Sequence, residues 1–372
     1  MNFLLVCGGT AGHINPAVAI AVELRRVVPE AKILFAGAGK DLEKKLIPHE
    51  GFHLVNIRMS GLKRGFSPRE ILYNMNTARN LATAGIKAGN LLKRYTPDAV
   101  IGTGGYICYP ILKKAAQMGI PTIVHESNAI PGLTTKMLSA SADRVLVSFQ
   151  GLDELYRRPE RVVFTGTPVR GGFKTPPDYT GPSRHSSKPL ILSFWGSLGA
   201  ERMNEIMTEF IKLNAESGFY DHIHAAGKNG GVGIMESRLR QLGLQGGLPP
   251  GIEIREYIDD MQEVMAAADI VICRAGGSTI AEVAVMGKPT VLIPSPYVTN
   301  NQQMENAKQV QKAGGAVLIQ EKDCTGEVLF NEVSALLSDA EKLKSMSKAL
   351  KAMAAPDAVE KIVELILLLA KK

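Results

Sequence analysis

The stretch LLVCGGTAGHINPAVAIAVELRR, residues 4–26, decides how the chain is read. A short apolar run enters a glycine-rich turn, and helical spacing follows from Pro16. Strand, tight turn and helix in that order open a βαβ unit. Gly8, Gly9 and Gly12 let the backbone approach a ligand closely, and the helix start offers N–H groups and a positive dipole end. The glycines run G-G-x-x-G, whereas a dinucleotide fingerprint needs G-x-G-x-x-G and an acid about 20 residues further on. The second strand, AKILFAG (31–37), ends without an acid, so a nicotinamide-dependent oxidoreductase is the weakest reading. A phosphate cradle needs only backbone, yet His13 sits at the mouth of this turn. A neutral imidazole at a helix start can accept a proton. The competing reading is a histidine that caps the turn.

The pattern repeats along the chain. GFHLVNI (51–57), PDAVIGTGG (97–105), IPTIVHE (120–126) and DRVLVS (143–148) alternate with helical segments, as buried parallel strands do. The Gly/Pro/Ser-rich segment GGFKTPPDYTGPSRHSSKP (171–189) is the linker, after which strand, glycine turn and helix restart in LILSFWGSLGAERMNEIMTEFIKL (190–213). DAVIGTGG and GIPTIV (98–124) are echoed by DIVICRAGG and GKPTVL (269–292). The expected fold class is α/β, with two Rossmann-like doubly wound domains facing a cleft and ligand loops at the carboxyl ends of the strands.

Composition narrows the function. A chain of 372 residues with 45% hydrophobic content is long enough for two cores. Its four cysteines show no C-x-x-C spacing, which points to a reducing compartment and to neither disulfides nor zinc. No signal-peptide pattern and no apolar run of about 20 residues is present, so a soluble cytoplasmic protein is expected. The charge is uneven. Residues 1–170 hold 22 Lys and Arg against 12 Asp and Glu, and the remainder is slightly acidic. Residues 58–94 concentrate it, with eight basic residues, Glu70 as the single acid, and Phe66, Ile71, Leu72, Met75 and Leu81 interspersed. Such a segment suits an anionic membrane surface, or forms an ordinary solvated face. With one tryptophan in the chain, no aromatic platform for nucleic acid is visible.

Further candidates fall on the same strand ends. GTGGYICYP (102–110) carries Tyr106, and HESNAIPG (125–132) carries His125, Glu126 and Asn128 just after a strand, with a helix from Pro131. These polar groups could bind or activate a sugar hydroxyl, or simply cap a turn. In the second half, Ser197 of WGSLGAER (195–202) fits a diphosphate seat at a helix start. In CRAGGSTIAEVAVMGKPTVLIP (273–294), Arg274 is a candidate to offset phosphate charge. Ser278 and Thr279 open a helix there, with Glu282 on the same face to accept ribose hydroxyls. The amides Gln302 and Gln303 of NNQQMENA (300–307) suit sugar hydroxyls. Asp259 and Asp260 read as a helix N-cap with a first-turn acid. No cluster has metal-ligand spacing.

GGTAGH, GTGGY, HESNAIPG, GTPVR, GSLGA, EYIDDM, CRAGGSTIAEV and NNQQMENA occur in order over essentially the whole chain. Together they resemble the MurG family, bacterial transferases that move N-acetylglucosamine from UDP to a lipid-linked muramyl-pentapeptide. The resemblance implies the GT-B fold, with an acceptor domain over 1–165 joined by a C-terminal helix over 347–372. The UDP-N-acetylglucosamine domain would span 166–346. It implies inverting transfer to the 4-hydroxyl of undecaprenyl-pyrophosphoryl-N-acetylmuramyl-pentapeptide. It also implies no required cofactor or metal, a peripheral place on the cytoplasmic membrane face, and cell-wall synthesis and division proteins as partners. By position, Ile258 would meet uracil through its backbone and Glu282 the ribose. Ser197, Ser278 and Thr279 would hold the diphosphate, and Gln302, Gln303 and Asn128 would read the sugar. Thr10, Gly12 and Tyr106 belong to the acceptor loops. His13 would be the base, with His125 and Glu126 as the other catalytic candidates for that role, and Arg170 corresponds to a further cleft position of the family. The family loops commonly read GGTGGH, HEQN, GNPVR and GGSQGA, where this chain has Ala11, Ser127, Thr167, Trp195 and Leu198. A UDP-N-acetylglucosamine epimerase of the same fold, a glycosyltransferase of the same build acting on another lipid acceptor, and a non-catalytic cell-wall scaffold are the competing readings.

Overall fold

A computed structural model of the protein describes residues 1–57, 83–181, 187–196, 198–228 and 231–371. Most of the basic stretch 58–94, and Ser197, lie outside the described residues.

The chain divides into two units, Met1–Arg170 with Ala355–Lys372, and Gly171–Ala354. The first holds β1 (Asn2–Cys7), α1 (Ala11–Val27), β2 (Lys32–Gly37), α2 (Asp41–His49), β3 (His53–Asn56), α3 (83–95) and β4 (Ala99–Gly104). Next come α4 (Cys108–Gln117), β5 (Thr122–Glu126), α5 (Leu133–Leu138), β6 (Arg144–Val147) and β7 (Val162–Phe164). The second unit runs β8 (Leu190–Phe194), α6 (Glu201–Ser217), β9 (Asp221–Ala225), α7 (Gly231–Gln241), β10 (Ile252–Arg255), α8 (Met261–Ala267) and β11 (Ile270–Cys273). It continues with α9 (Gly277–Met286), β12 (Thr290–Leu292), α10 (Gln302–Lys312), β13 (Ala316–Leu318), α11 (Gly326–Leu337) and α12 (Ala340–Met353). The last helix, α13 (Ala358–Ala370), belongs to the first unit.

Both sheets are parallel, with orders β3-β2-β1-β4-β5-β6-β7 and β10-β9-β8-β11-β12-β13. Central strands covered on both faces must be apolar throughout. Phe3, Leu4, Leu5, Val6 and Cys7 of β1 are accordingly all fully buried. The strand order reverses at β1/β4 and at β8/β11, so the loops after those strands diverge and leave a crevice in each unit. The echo between the halves extends to one carboxylate. Asp98, just before β4, accepts the Asn2 N–H at 2.6 Å, and Asp269, just before β11, accepts the Leu190 N–H at 2.8 Å. Each ties the start of its unit's central strand to the neighbour.

The unit boundaries differ from the expected 165/166 and 346/347. Residues 166–170 stay with the first unit because the Thr165 and Gly166 N–H groups both donate to the Val147 carbonyl at 3.1 Å. Helix α12 belongs to the second, where Met346 is buried in its core and Leu350 packs over Gly315. Only α13 returns, burying Ile362, Val363 and Ile366 with Phe3, Leu5 and the α1 residues Ile14 and Ala21. Fully burying one such side chain is worth about 1.5–3 kcal/mol, so this short helix is firmly held.

Candidate active site

Helix α1 begins at Ala11, five residues before the expected start, with Pro16 inside it. Pro16 removes only the bond its N–H would make four residues back. His13 therefore sits in the first helical turn, and Thr10 is the N-cap residue, with no side-chain cap hydrogen bond. Ala11, where the family commonly has glycine, needs no left-handed backbone.

The imidazole of His13 is half-buried, and its Nδ1 lies 2.8 Å from the Gly8 carbonyl oxygen. A carbonyl only accepts, so Nδ1 carries the hydrogen. In the neutral ring Nε2 then holds the lone pair, and it makes no hydrogen bond among the described residues. The second glycine loop supports this ring. Pairing of β1 with β4 steps from Val6–Gly102 to Cys7–Gly104, so Thr103 is bulged out and its hydroxyl donates to the His13 carbonyl at 2.7 Å. Gly104 has φ +128°, and a Cβ there would collide with the His13 ring. Gly105, φ +91°, passes so close to Gly8 that a Cβ would lie 2.6 Å from its carbonyl oxygen. The Gly8 N–H donates to the Gly104 carbonyl at 3.1 Å. The two loops are one structure, and the exposed Tyr106 stands at its edge.

HESNAIPG departs from expectation. His125 and Glu126 are the last residues of β5 and are buried, and the next helix starts at Leu133. His125 donates from Nε2 to the Gly166 carbonyl at 3.0 Å, and its buried Nδ1 has no partner among the described residues. Burial lowers its pKa from the ordinary imidazole value, so it is held neutral. Glu126 spends its carboxylate on the turn that follows. Oε1 accepts from the Asn128 N–H at 3.1 Å and its side-chain amide at 2.9 Å, and Oε2 accepts from the Gly132 N–H at 3.0 Å. This corrects the placement of both groups as ligand-facing. Asn128 is oriented through Glu126. Thr167 bonds the Ser148 hydroxyl at 2.5 Å, and Arg170 is exposed at the end of the unit.

In the second unit, Gly196 and Gly199 have φ +89° and +77°, and the loop they form leads into α6. Ser197 is outside the described residues, and Leu198 is 66% exposed. Ile258 is buried, which leaves its backbone as the part a ligand could meet. Ser278 and Thr279 lie in the first turn of α9, with Glu282 one turn on, all partly exposed. Gln302 opens α10, and the Gln303 side-chain oxygen accepts the Ser295 N–H at 2.8 Å, bracing the loop before it. Arg274 is corrected. It is 9% exposed, its guanidinium contacts the Glu321 carboxylate at 2.6 Å and donates to the Ile293 carbonyl at 3.0 Å. Its charge is already matched, so it anchors the glycine loop instead of offsetting phosphate. Asp260 stands at the N-cap position of α8 without capping it, and pairs with Arg255 at 3.1 Å.

Sequence reading passed over two groups that support these loops and one cluster inside the second sheet. The Asn306 amide donates to the Ala275 carbonyl at 3.0 Å, tying α10 to the loop before α9. Glu43, wholly buried, braces the first glycine loop. Ser193 lies 2.7 Å from both His222 and His224 on the central strands of the second sheet. Among the described residues, no group of three or more His, Cys, Asp or Glu is arranged to hold a metal ion, and no helix is long and apolar enough to cross a membrane.

Residues 3–147 match the model of the glycosyltransferase family 28 N-terminal domain, and residues 190–362 that of its C-terminal domain. The UDP-N-acetylglucosamine–N-acetylmuramyl-(pentapeptide) pyrophosphoryl-undecaprenol N-acetylglucosamine transferase of Acetivibrio thermocellus is 40% identical over 370 residues, spanning 98% of this chain and 97% of its own. The protein of the same name from a Thermoanaerobacter species is 41% identical over 372 residues, spanning 98% and 99%. Among solved structures, MurG of Acinetobacter baumannii superposes with a TM-score of 0.75 at 26% identity, over 99% of this chain and 100% of that one. A UDP-GlcNAc 2-epimerase from Neisseria meningitidis gives 0.67 at 14% identity, over 99% and 100% respectively, which is a likeness of fold alone. With identity near 40% sustained along the full length of its relatives, the chain belongs to the MurG family of GT-B-fold glycosyltransferases.

Proposed function

We propose that the protein transfers N-acetylglucosamine from UDP-N-acetylglucosamine to the 4-hydroxyl of undecaprenyl-pyrophosphoryl-N-acetylmuramyl-pentapeptide, with inversion at the anomeric carbon. The observation that carries this reading is the 2.8 Å contact of His13 Nδ1 with the Gly8 carbonyl oxygen. With Nδ1–H donating to Gly8, Nε2 is the acceptor beside a glycine cradle open to an anionic group. In this reading the acceptor's pyrophosphate lies on the loops of Thr10, Gly12 and Tyr106. His13 Nε2 takes the proton of the muramyl hydroxyl as its oxygen bonds the anomeric carbon and the bond to UDP breaks. Arg170, His125, Glu126 and Asn128 border this acceptor site.

The donor reading belongs to the second unit. Ile258 presents its backbone to uracil, Glu282 accepts the ribose hydroxyls, and Gln302 with Gln303 borders the sugar. The charge that grows on the departing diphosphate meets the N–H groups at the starts of α6 and α9, with Ser197, Ser278 and Thr279, and no resident metal or cofactor is called on. Because Arg274 is paired with Glu321, its share in this reading is to hold the α9 loop in place.

We further propose that the protein works at the cytoplasmic face of the membrane, where the basic, apolar-studded residues 58–94 meet anionic lipid. Ile86, 67% exposed beside Lys87, supports this. Cell-wall synthesis and division proteins are its expected neighbours there.

The test is UDP release from UDP-N-acetylglucosamine with and without a short-chain lipid acceptor bearing muramyl-pentapeptide. Release is expected only with acceptor, and it is lost in His13→Ala. Release without acceptor would overturn the reading in favour of an epimerase-like reaction. Lys63→Glu, Arg64→Glu and Arg69→Glu together should weaken binding to anionic vesicles and leave UDP affinity intact. Equal vesicle binding would remove the membrane reading.

A further inference from the structure

We infer that Glu43 is a positioning residue for the His13 base and acts through the single peptide unit between Gly8 and Gly9. Glu43 is wholly buried, three residues into the charged stretch that opens α2. No cation lies within ion-pair distance of it among the described residues. Its carboxylate is held instead by three backbone donors. Oε1 accepts the Gly9 N–H at 3.0 Å, and Oε2 accepts the Gly39 N–H at 2.8 Å and the Lys40 N–H at 3.1 Å. Gly8 and Gly37 leave the room it occupies, for a Cβ at either position would come within 3.1 Å of its oxygens.

The Gly9 N–H and the Gly8 C=O belong to the same peptide group, which is planar and trans. Its two polar bonds point in opposite directions. Fixing the N–H on Glu43 therefore aims the C=O, and that oxygen is the one accepting His13 Nδ1–H at 2.8 Å. The carboxylate also polarises the peptide, which strengthens the bond on its far side. The result is a carboxylate–peptide–imidazole relay that selects the Nδ1–H tautomer and leaves Nε2 to accept. It does so from the neighbouring strand loop, without a carboxylate touching the ring. A bond between a second group and the ring nitrogen remote from the chemistry is how histidine tautomers are set in general.

This inference rests on the reading of His13 as the base, and the test separates the two. His13→Ala, Glu43→Gln and the double variant are assayed for acceptor-dependent UDP release, with UDP affinity and thermal melting as checks of folding. The wild type and Glu43→Gln are also examined by ¹⁵N-imidazole NMR. Glu43→Gln should lower kcat about 10- to 100-fold with the acceptor KM little changed. In the His13→Ala background it should have almost no further effect, since both act on one function. The His13 signals should move from a single Nδ1–H tautomer to a mixture. Should Glu43→Gln fail to fold, Glu43→Asp replaces it, retracting the carboxylate by one methylene, with the same criteria. Losses that multiply in the double variant, or an unchanged tautomer, would overturn the relay while leaving His13 as the base. His13→Ala with parental kcat would overturn the base reading itself.

Discussion

The buried pair His222 and His224 should make the second unit sensitive to mild acid. Both imidazoles extend from β9 and are fully buried around the Ser193 hydroxyl of the adjacent strand β8. Burial, reinforced for His222 by the other ring, holds its pKa well below the ordinary value, and burial pushes His224 down to about 3. A group that refuses protons when folded stabilises the protein fully above its unfolded pKa, about 6.5. As pH falls below that value the unfolded chain binds protons the folded chain rejects, and stability is lost progressively until the folded pKa is reached. Between about pH 7 and about pH 5 each histidine then costs about 2 kcal/mol of stability, about 4 for the pair. Trp195, the chain's only tryptophan, is 5% exposed with its ring 6.1 Å from that of His224, so its fluorescence reports unfolding of this unit. Urea unfolding at the two pH values should show the full loss in the parent. His222→Gln, whose amide can still meet Ser193 but cannot titrate, should lose about 2 kcal/mol less. An equal pH dependence in parent and variant would refute the reasoning.

Two other perturbations probe the loops. Gly104→Ala places a methyl against the His13 ring at φ +128°, a backbone conformation that disfavours side chains. It should cost about 1–3 kcal/mol by thermal melting and depress acceptor-dependent turnover, with UDP affinity unchanged. Full turnover would show that the ring does not need its seat. Arg274→Met leaves the Glu321 carboxylate buried without its partner and should destabilise by about 3–5 kcal/mol in denaturant titration, most of it recovered in Arg274→Met with Glu321→Leu. A single variant as stable as the parent would mean that the pair holds nothing.

Much of the fold was legible because a parallel sheet covered on both faces demands uninterrupted apolar strands, and LLVC, AVIG, LILSF and IVIC are such runs. The restart after residue 189 and the glycine pairs at the strand ends exposed the duplication. Boundaries were less legible. Pro16 suggested a helix start, yet a proline early in a helix loses only one bond, and α1 begins at Ala11. For the same reason His13 lies in a helical turn and not in the loop before it.

Side-chain roles divide along a physical line. Local geometry is written in nearby residues, so the sequence by itself determined two doubly wound units, glycine cradles at their strand ends and a histidine at one of them. What a polar group touches depends on strands brought together from far along the chain. Glu126 and Arg274 looked ready for ligands, but each is consumed by neighbours that only folding supplies, the turn at Gly132 and the carboxylate of Glu321. Glu43 stands in a run of charges with Lys40, Asp41, Lys44 and Lys45 that carries no motif, and only tertiary structure buries it under Gly9. A buried charge must find hydrogen bonds, and where it finds them is decided by the meeting of two loops 34 residues apart.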